Sequence, residues 1–233
     1  MSRIEWTTKT WNPITGCTKL SAGCQNCYAE KMAKRLAGRY GYPEANPFQP
    51  GTVHEDKMDI PFGWKKSSLV FVCSMGDLFH DTVARHDIER VLDVCRQTPK
   101  HTFQLLTKRA ERLAEGFQSP DNVWVGITAE NQASWDNRAP FLQQVNATVR
   151  FVSLEPLLSD IAMGDIGWLN WAIVGAESGT GARLMDENWV SHIRDQVKGF
   201  GDPFFYKQRL SGGKKISMPA LDEIVWEEYP QVA

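Results

Sequence analysis

A chain of 233 residues with 42% hydrophobic side chains can bury a large core as one domain, and its formal net charge of −2 argues against bulk attraction to a polyanion while leaving room for a local basic groove. Five cysteines, an odd number with three close together, suit a reducing compartment and a metal or cluster better than a disulfide framework. The opening MSRIEWTTKTWNP has no apolar signal segment and no stretch approaches the ~18 apolar residues of a membrane span, so a soluble, cytoplasmic protein with no membrane partner is expected.

Short apolar runs alternate with amphipathic stretches, the pattern of an α/β chain with parallel strands. In chain order the expected strands are Trp11–Thr15, Leu69–Ser74, Thr102–Thr107, Val123–Thr128, Val149–Leu154, Trp171–Gly175 and Pro203–Lys207. Most are rich in Val, Ile, Phe and Leu with little alternation, as strands covered on both faces require. The expected helices are Ala29–Arg39, Arg85–Arg96, Ala110–Gly116, Asn131–Val145 and Glu187–Lys198. Of these, Arg85–Arg96 carries Ile88, Val91, Leu92 and Cys95 at helical spacing. Gly41 to Lys66, rich in Pro, Gly and Asn, reads as a long excursion. The tail from Leu210, with its SGGKK run, reads as a wrap over the outside or over one end.

No G-x-G-x-x-G follows the first strand and no Walker loop occurs, so a barrel is favoured over a nucleotide-binding doubly wound sheet. The expected fold is a single α/β domain over residues 1–233. It comprises a partial (β/α)6-type parallel barrel over 1–209, with the cysteine loop at 16–28, and a C-terminal extension over 210–233.

Cys17, Cys24 and Cys27 stand in the run WNPITGCTKLSAGCQNCYAEKMAKRL at the spacing C-x6-C-x2-C. Three thiolates on one short loop can hold three irons of a cubane cluster and leave the fourth open, or fill three corners of a tetrahedral zinc site. Cys73, in an apolar strand, and Cys95, on the apolar face of a helix, read as packing thiols. Of the five histidines only His80 falls near the expected barrel mouth, as a substrate contact or a distant fourth ligand. Gly16 and Gly23 leave room for backbone amides to approach a bulky cofactor. Tyr28, next to the last thiol, is placed to cover a cluster or to pack beneath an adenine.

Polar residues follow every strand. Ser74, Asp77 and His80 come after the second, Thr107, Lys108 and Arg109 after the third, and Thr128, Glu130 and Asn131 after the fourth. Ser153 and Glu155 close the fifth, Glu177, Ser178 and Arg183 follow the sixth, and Lys207 and Gln208 end the last. Loops are polar in any protein, and Asp77 alone could cap a turn. A set after every strand of a parallel barrel shares the C-terminal mouth, and so points to a polar pocket facing the cysteine loop.

The three-cysteine loop followed by a helix, at the first strand of an α/β barrel, resembles the radical S-adenosylmethionine superfamily. More closely, WNPITGCTKLSAGCQNCYA, SMGDLF, LLTKR, GITAEN, SLEP, GAESG and YKQ, spread from Trp11 to Pro230, resemble the phage-encoded three-cysteine-motif family of radical-SAM-like proteins. The LTKR and SLEP segments also bear a distant similarity to spore photoproduct lyase. The resemblance implies a 4Fe–4S cluster on Cys17, Cys24 and Cys27, S-adenosylmethionine on the open iron, and an external electron donor. Cleavage of the sulfonium would then yield methionine and a 5′-deoxyadenosyl radical.

It also implies roles by position. Ser74 and Asp77 fall where the methionine amino group is met, Glu130, Ser153 and Glu155 where ribose or substrate is met, and Gly175 to Glu177 behind the adenine. Tyr28 and Lys108 complete this cofactor set, with Lys207 and Gln208 left for substrate. The superfamily's usual spacing is C-x3-C-x2-C with an aromatic just before the last cysteine; here the first gap is six residues and Tyr28 comes after. Where the family's tail carries Trp-Gly after its Lys-Gln pair, this chain has Arg209 and Leu210.

Lys108, Arg109, Lys207, Arg209, Lys214 and Lys215 would make the rim basic, which points to a nucleotide or nucleic-acid substrate. Two other classes stay open: a zinc-stabilised nucleic-acid- or partner-binding module without catalysis, and an iron–sulfur protein that relays electrons or senses oxidants.

Overall fold

The apolar runs pair with one another in the order in which the chain presents them. The computed structural model describes residues 4–231. After β1 (Lys9–Trp11) comes a separate antiparallel pair, β2 (Ile14–Thr15) and β3 (Thr52–Val53). Then follow β4 (Leu69–Val72), β5 (Thr102–Thr107), β6 (Val123–Thr128), β7 (Arg150–Leu154), β8 (Trp171–Gly175), β9 (Phe204–Ser211) and β10 (Lys214–Ser217), with a terminal hairpin of β11 (Ala220–Leu221) and β12 (Ile224–Val225). Strands β1, β4, β5, β6, β7, β8 and β9 lie side by side in that order, all parallel, and β10 adds antiparallel to β9. The outcome is a mixed α/β fold whose eight-stranded, mostly parallel sheet curls into a half-barrel.

Five helices accompany it: α1 (Tyr28–Arg35), α2 (Glu55–Met58), α3 (Arg85–Gln97), α4 (Gln132–Gln143) and α5 (Glu187–Gly199). Because strand order never reverses, successive crossovers run the same way and the long helices fall on one face. There Ile88, Val91 and Leu92 of α3, Trp135 and Leu142 of α4, and Val190, Ile193 and Val197 of α5 pack on the alternate strand residues Val70, Leu105, Val125, Val152 and Val174. The opposite strand faces carry Phe71, Trp124, Phe151, Trp171, Ile173 and Phe205, which close around Trp6 as an aromatic plug. Both faces are buried, which is why β6 and β8 read as unbroken apolar runs. The parallel strands all deliver their C-terminal ends to one side of the sheet, above the plug.

Several expectations need correction. The first strand ends at Trp11, because Pro13 has no amide for the ladder; Ile14 and Thr15 turn away to pair with β3 inside the 41–66 excursion, which also holds α2 and a 3-10 turn, Ile60–Gly63. The helix expected over Ala110–Gly116 is a 3-10 turn, Ala110–Ala114, and α1 stops at Arg35 rather than Arg39. Strand and helix do not alternate throughout: the crossover from β7 to β8 has no helix, and Leu157, Ile161, Met163, Ile166 and Leu169 bury themselves in its place. The SGGKK run is no loose wrap. Gly212 and Gly213, both at positive φ, make the tight turn that folds β10 back onto β9. Among the described residues no helix is long and apolar enough to cross a membrane.

Candidate functional site

The cysteine loop lies across the C-terminal ends of the strands. It leaves β2 through Gly16, which bridges to Gly76 beyond β4 and has φ of 86°. A Cβ there would fall 1.8 Å from the Gln49 carbonyl oxygen, so only glycine fits. The loop then turns through a short 3-10 segment, Ala22–Cys24, and Cys27 occupies the N-cap position of α1. All three thiols are free and partly exposed. They line an open cavity of about 240 Å³ on the side of the strand ends, and they also line a second hollow on the outer side, walled by Lys19, Glu30, Lys34 and Phe48. The three sulfurs thus stand in a partition between two spaces.

Three carboxylate–arginine pairs pin this loop, each from a different strand end. After β4, Asp77 accepts from Thr107 Oγ1 at 2.8 Å and from Arg109 Nη1 at 3.4 Å; Arg109 in turn donates to Thr18 Oγ1 at 2.8 Å and to Cys17 Sγ at 3.5 Å. After β6, Glu130 takes Arg138 Nη1 at 2.9 Å and the Gly23 amide at 3.4 Å, and it fits against Gly23 because that residue has no side chain. After β8, Glu177 takes Arg183 Nε, the Arg183 amide and Asn26 Nδ2, each at 2.9 Å, while Arg183 Nη2 reaches the Ala22 carbonyl at 3.0 Å. Buried ion pairs roughly offset their own desolvation, so their value here is positional. They fix the loop at its start, middle and end.

The electrostatics differ from thiol to thiol. Burial pushes Cys17 up to about 11, the Asp77 carboxylate adds to that, and Arg109 opposes both. Burial acts in the same sense on Cys24, but the Lys108 ammonium and hydrogen bonds from the Leu20–Ser21 segment outweigh it and hold that thiol below its ordinary value. Cys73 and Cys95 lie in the core, away from the cavity, with burial raising both thiols; they are packing residues, as expected.

Of the residues expected at the site, Tyr28, Ser74, Asp77, Lys108, Ser153, Glu155, Glu177, Lys207 and Gln208 line the cavity together with the three cysteines. Its floor is a polar cluster on the aromatic plug. Glu155 accepts from Ser153 Oγ at 3.1 Å and from Trp6 Nε1 at 3.2 Å, and pairs with Lys207 Nζ at 2.8 Å. Tyr28 spans the entrance, its hydroxyl donating to the Ser74 carbonyl while its ring stays half exposed; burial of that hydroxyl, with Cys27 and Glu155 nearby, raises the phenol.

Other residues stand elsewhere. Glu130 is buried behind Gly23 as a brace for the loop, and Gly175 lies beneath Glu155, where a Cβ would come within 2.5 Å of its carboxylate. Neither lines the cavity. His80 is buried with both ring nitrogens engaged, by Thr18 Oγ1 at 2.9 Å and by Thr82. Arg109 is a buried latch and not a rim cation, and Arg209 turns toward Glu187 of α5. Sequence reasoning missed Arg138, which sits mid-helix with no local signal, and Trp6 and Asn26. A tryptophan just before the first strand and an asparagine between two cysteines were the available cues.

Among the described residues, no three His, Cys, Asp or Glu side chains gather closely enough to hold a single metal ion. A family model described as a protein of unknown function (DUF5131) matches residues 1–230. No curated protein and no solved structure matches the chain.

Proposed function

The chain belongs to the DUF5131 family, and we propose that it is a radical S-adenosylmethionine enzyme built on a partial (β/α)6-type barrel, with a 4Fe–4S cluster on Cys17, Cys24 and Cys27. One observation carries the reading: three free thiols on one loop, pinned by three strand-end latches, face a cavity at the barrel mouth whose largely apolar lining carries the charged groups of Asp77, Lys108, Glu155, Glu177 and Lys207. The donor set fits such a group. Three free, partly exposed thiols on one loop would hold three irons of such a cluster and leave the fourth open. When bound, cluster and S-adenosylmethionine together supply one-electron cleavage of the sulfonium to methionine and a 5′-deoxyadenosyl radical, with the electron from an external donor.

The protein's own residues prepare the place. Lys108 sets a positive charge beside Cys24 and favours its thiolate, and Arg109 does the same for Cys17. Ser74 and Asp77 flank the thiols on the β4 side, with Asp77 already engaged by Thr107 and Arg109. The Tyr28 ring offers a flat apolar face to an adenine. The floor, Ser153, Glu155, Lys207 and Gln208, supplies polar contacts for ribose or for a nucleotide or nucleic-acid substrate. Below them the plug of Trp6, Phe71, Phe151 and Trp171 excludes water from one side, which a primary carbon radical requires.

The test is anaerobic incubation of iron-loaded protein with dithionite and S-adenosylmethionine, followed by chromatography for 5′-deoxyadenosine. The proposal expects that product, and its loss in Cys24→Ala. Iron-loaded protein that leaves S-adenosylmethionine intact would overturn it in favour of an electron relay or a sensor.

A further inference from the structure

An open cleft adjoins the cavity and shares Tyr28, Lys207 and Gln208 with it. One wall is a face of α1. Tyr28, Lys31, Met32 and Arg35 recur there at helical spacing, with the rings and chains of Tyr28 and Met32 50% and 36% exposed. The other wall carries Lys215 and the turn of Ser178, Gly179 and Thr180.

The charges of this cleft are unbalanced. Lys215 is matched by Glu5 at 2.7 Å and Lys207 by Glu155 at 2.8 Å. Among the described residues neither Lys31 nor Arg35 meets a carboxylate; the Lys31 ammonium reaches only the Thr180 carbonyl, at 3.4 Å. A chain of net charge −2 thus leaves two cations one helical turn apart beside an exposed aromatic ring.

We infer that this cleft holds a single-stranded nucleic acid, with successive phosphates over Lys31 and Arg35 and an unpaired base against Tyr28 and Met32. Residues four apart on a helix rise about 6 Å, comparable to the step between phosphates of an extended strand. Stacking on an exposed ring needs a base free of its partner, which selects a single strand over a duplex. The cleft's continuity with the cavity would bring one nucleotide to the floor at Lys207 and Gln208. That last link rests on the radical reading, whereas the docking does not.

The experiment is fluorescence anisotropy of a labelled oligothymidylate of about twelve nucleotides against the full chain. It is run from about 50 to about 200 mM salt, for the natural protein and for Lys31→Ala/Arg35→Ala. Both substitutions place a good helix former at exposed positions. The expected result is saturable binding that weakens with salt, a loss of about tenfold or more in the double variant, and a salt slope shallower by about 1.4. Absence of binding, unchanged affinity in the variant, or equal affinity for thymidine monophosphate or for a duplex of the same length would overturn the inference. Binding is read without S-adenosylmethionine, so its failure leaves the radical reading standing, and failure of S-adenosylmethionine cleavage leaves the binding result standing.

Discussion

Arg109 Nη1 lies 3.5 Å from Cys17 Sγ and 3.4 Å from Asp77 Oδ2, so one buried guanidinium ties the first thiol of the loop to the end of β4. The same side chain holds Thr18, whose hydroxyl also meets His80. Chain segments about ninety residues apart are thereby held in one place, and that place is the edge of the cavity.

Removing this guanidinium leaves Asp77 buried without its cation. Arg109→Ala should cost about 3–5 kcal/mol, whereas Asp77→Asn/Arg109→Met, which removes both charges, should cost clearly less. Urea unfolding of the single and double variants measures the difference. Equal costs would show that an unpaired Asp77 charge is not the source of the loss in the single variant.

Asn26 separates the loop's hold on the proposed cluster from its contribution to the fold. Its side chain donates to Glu177 at 2.9 Å and to the Gly181 carbonyl at 3.0 Å, next to Cys27 in sequence. Asn26→Ala should change stability by no more than about 1.5 kcal/mol. Iron bound by the three thiols should nevertheless pass to a chelator several-fold faster, since the latch sets loop geometry.

Much of this was legible in the sequence, and the limits have physical causes. β6 and β8 were clear because burial on both faces leaves no polar position to blur the run. The mouth was clear because parallel strands put all their C-terminal ends on one side. What a single strand cannot show is which face a residue beyond it takes. Thr128 points to the cavity and Glu130, two residues on, lies behind the cysteine loop, a difference set by the capping box of Asn131 and Ser134 that holds the Glu130 amide. The arginine partners were illegible for the same reason: Arg138 finds Glu130 only through the docking of α4 on the sheet. Ala110–Gly116 read as a helix, but the segment is short and runs into Gly116 at positive φ, and it forms only the 3-10 turn Ala110–Ala114.

Glu177 makes stability depend on pH in one direction. Burial works to raise its pKa from 4.5, but Arg183 and Asn26 outweigh burial and hold it at about 2. A carboxyl depressed on folding contributes stability that is full above its unfolded value and is lost as pH falls through the folded one. Between roughly pH 4.5 and pH 2 the natural protein should therefore lose up to about 3 kcal/mol through this group. Glu177→Gln should be less stable at neutral pH and show a flatter acid limb in denaturant titrations at stepped pH.

The plug should be the largest single source of stability on the cavity side. Trp171 meets Trp6 at 6.3 Å, Trp124 at 5.9 Å, Phe151 at 5.7 Å and Tyr229 at 5.5 Å between ring centroids. Trp171→Ala should cost about 3–5 kcal/mol, and Trp171→Phe less, because the ring packing is partly kept. Thermal unfolding of the two variants provides the comparison, and a small cost for the alanine would mean the plug collapses to fill the gap.

Metal analysis decides the central claim most directly. Protein purified without oxygen should be brown and hold about four irons and four sulfides per chain. Alanine at Cys17, Cys24 or Cys27 should abolish the iron and leave the far-ultraviolet circular dichroism unchanged. Colourless protein with one zinc and no iron, even after cluster reconstitution, and cysteine variants that unfold would contradict the account and make the loop a structural zinc site.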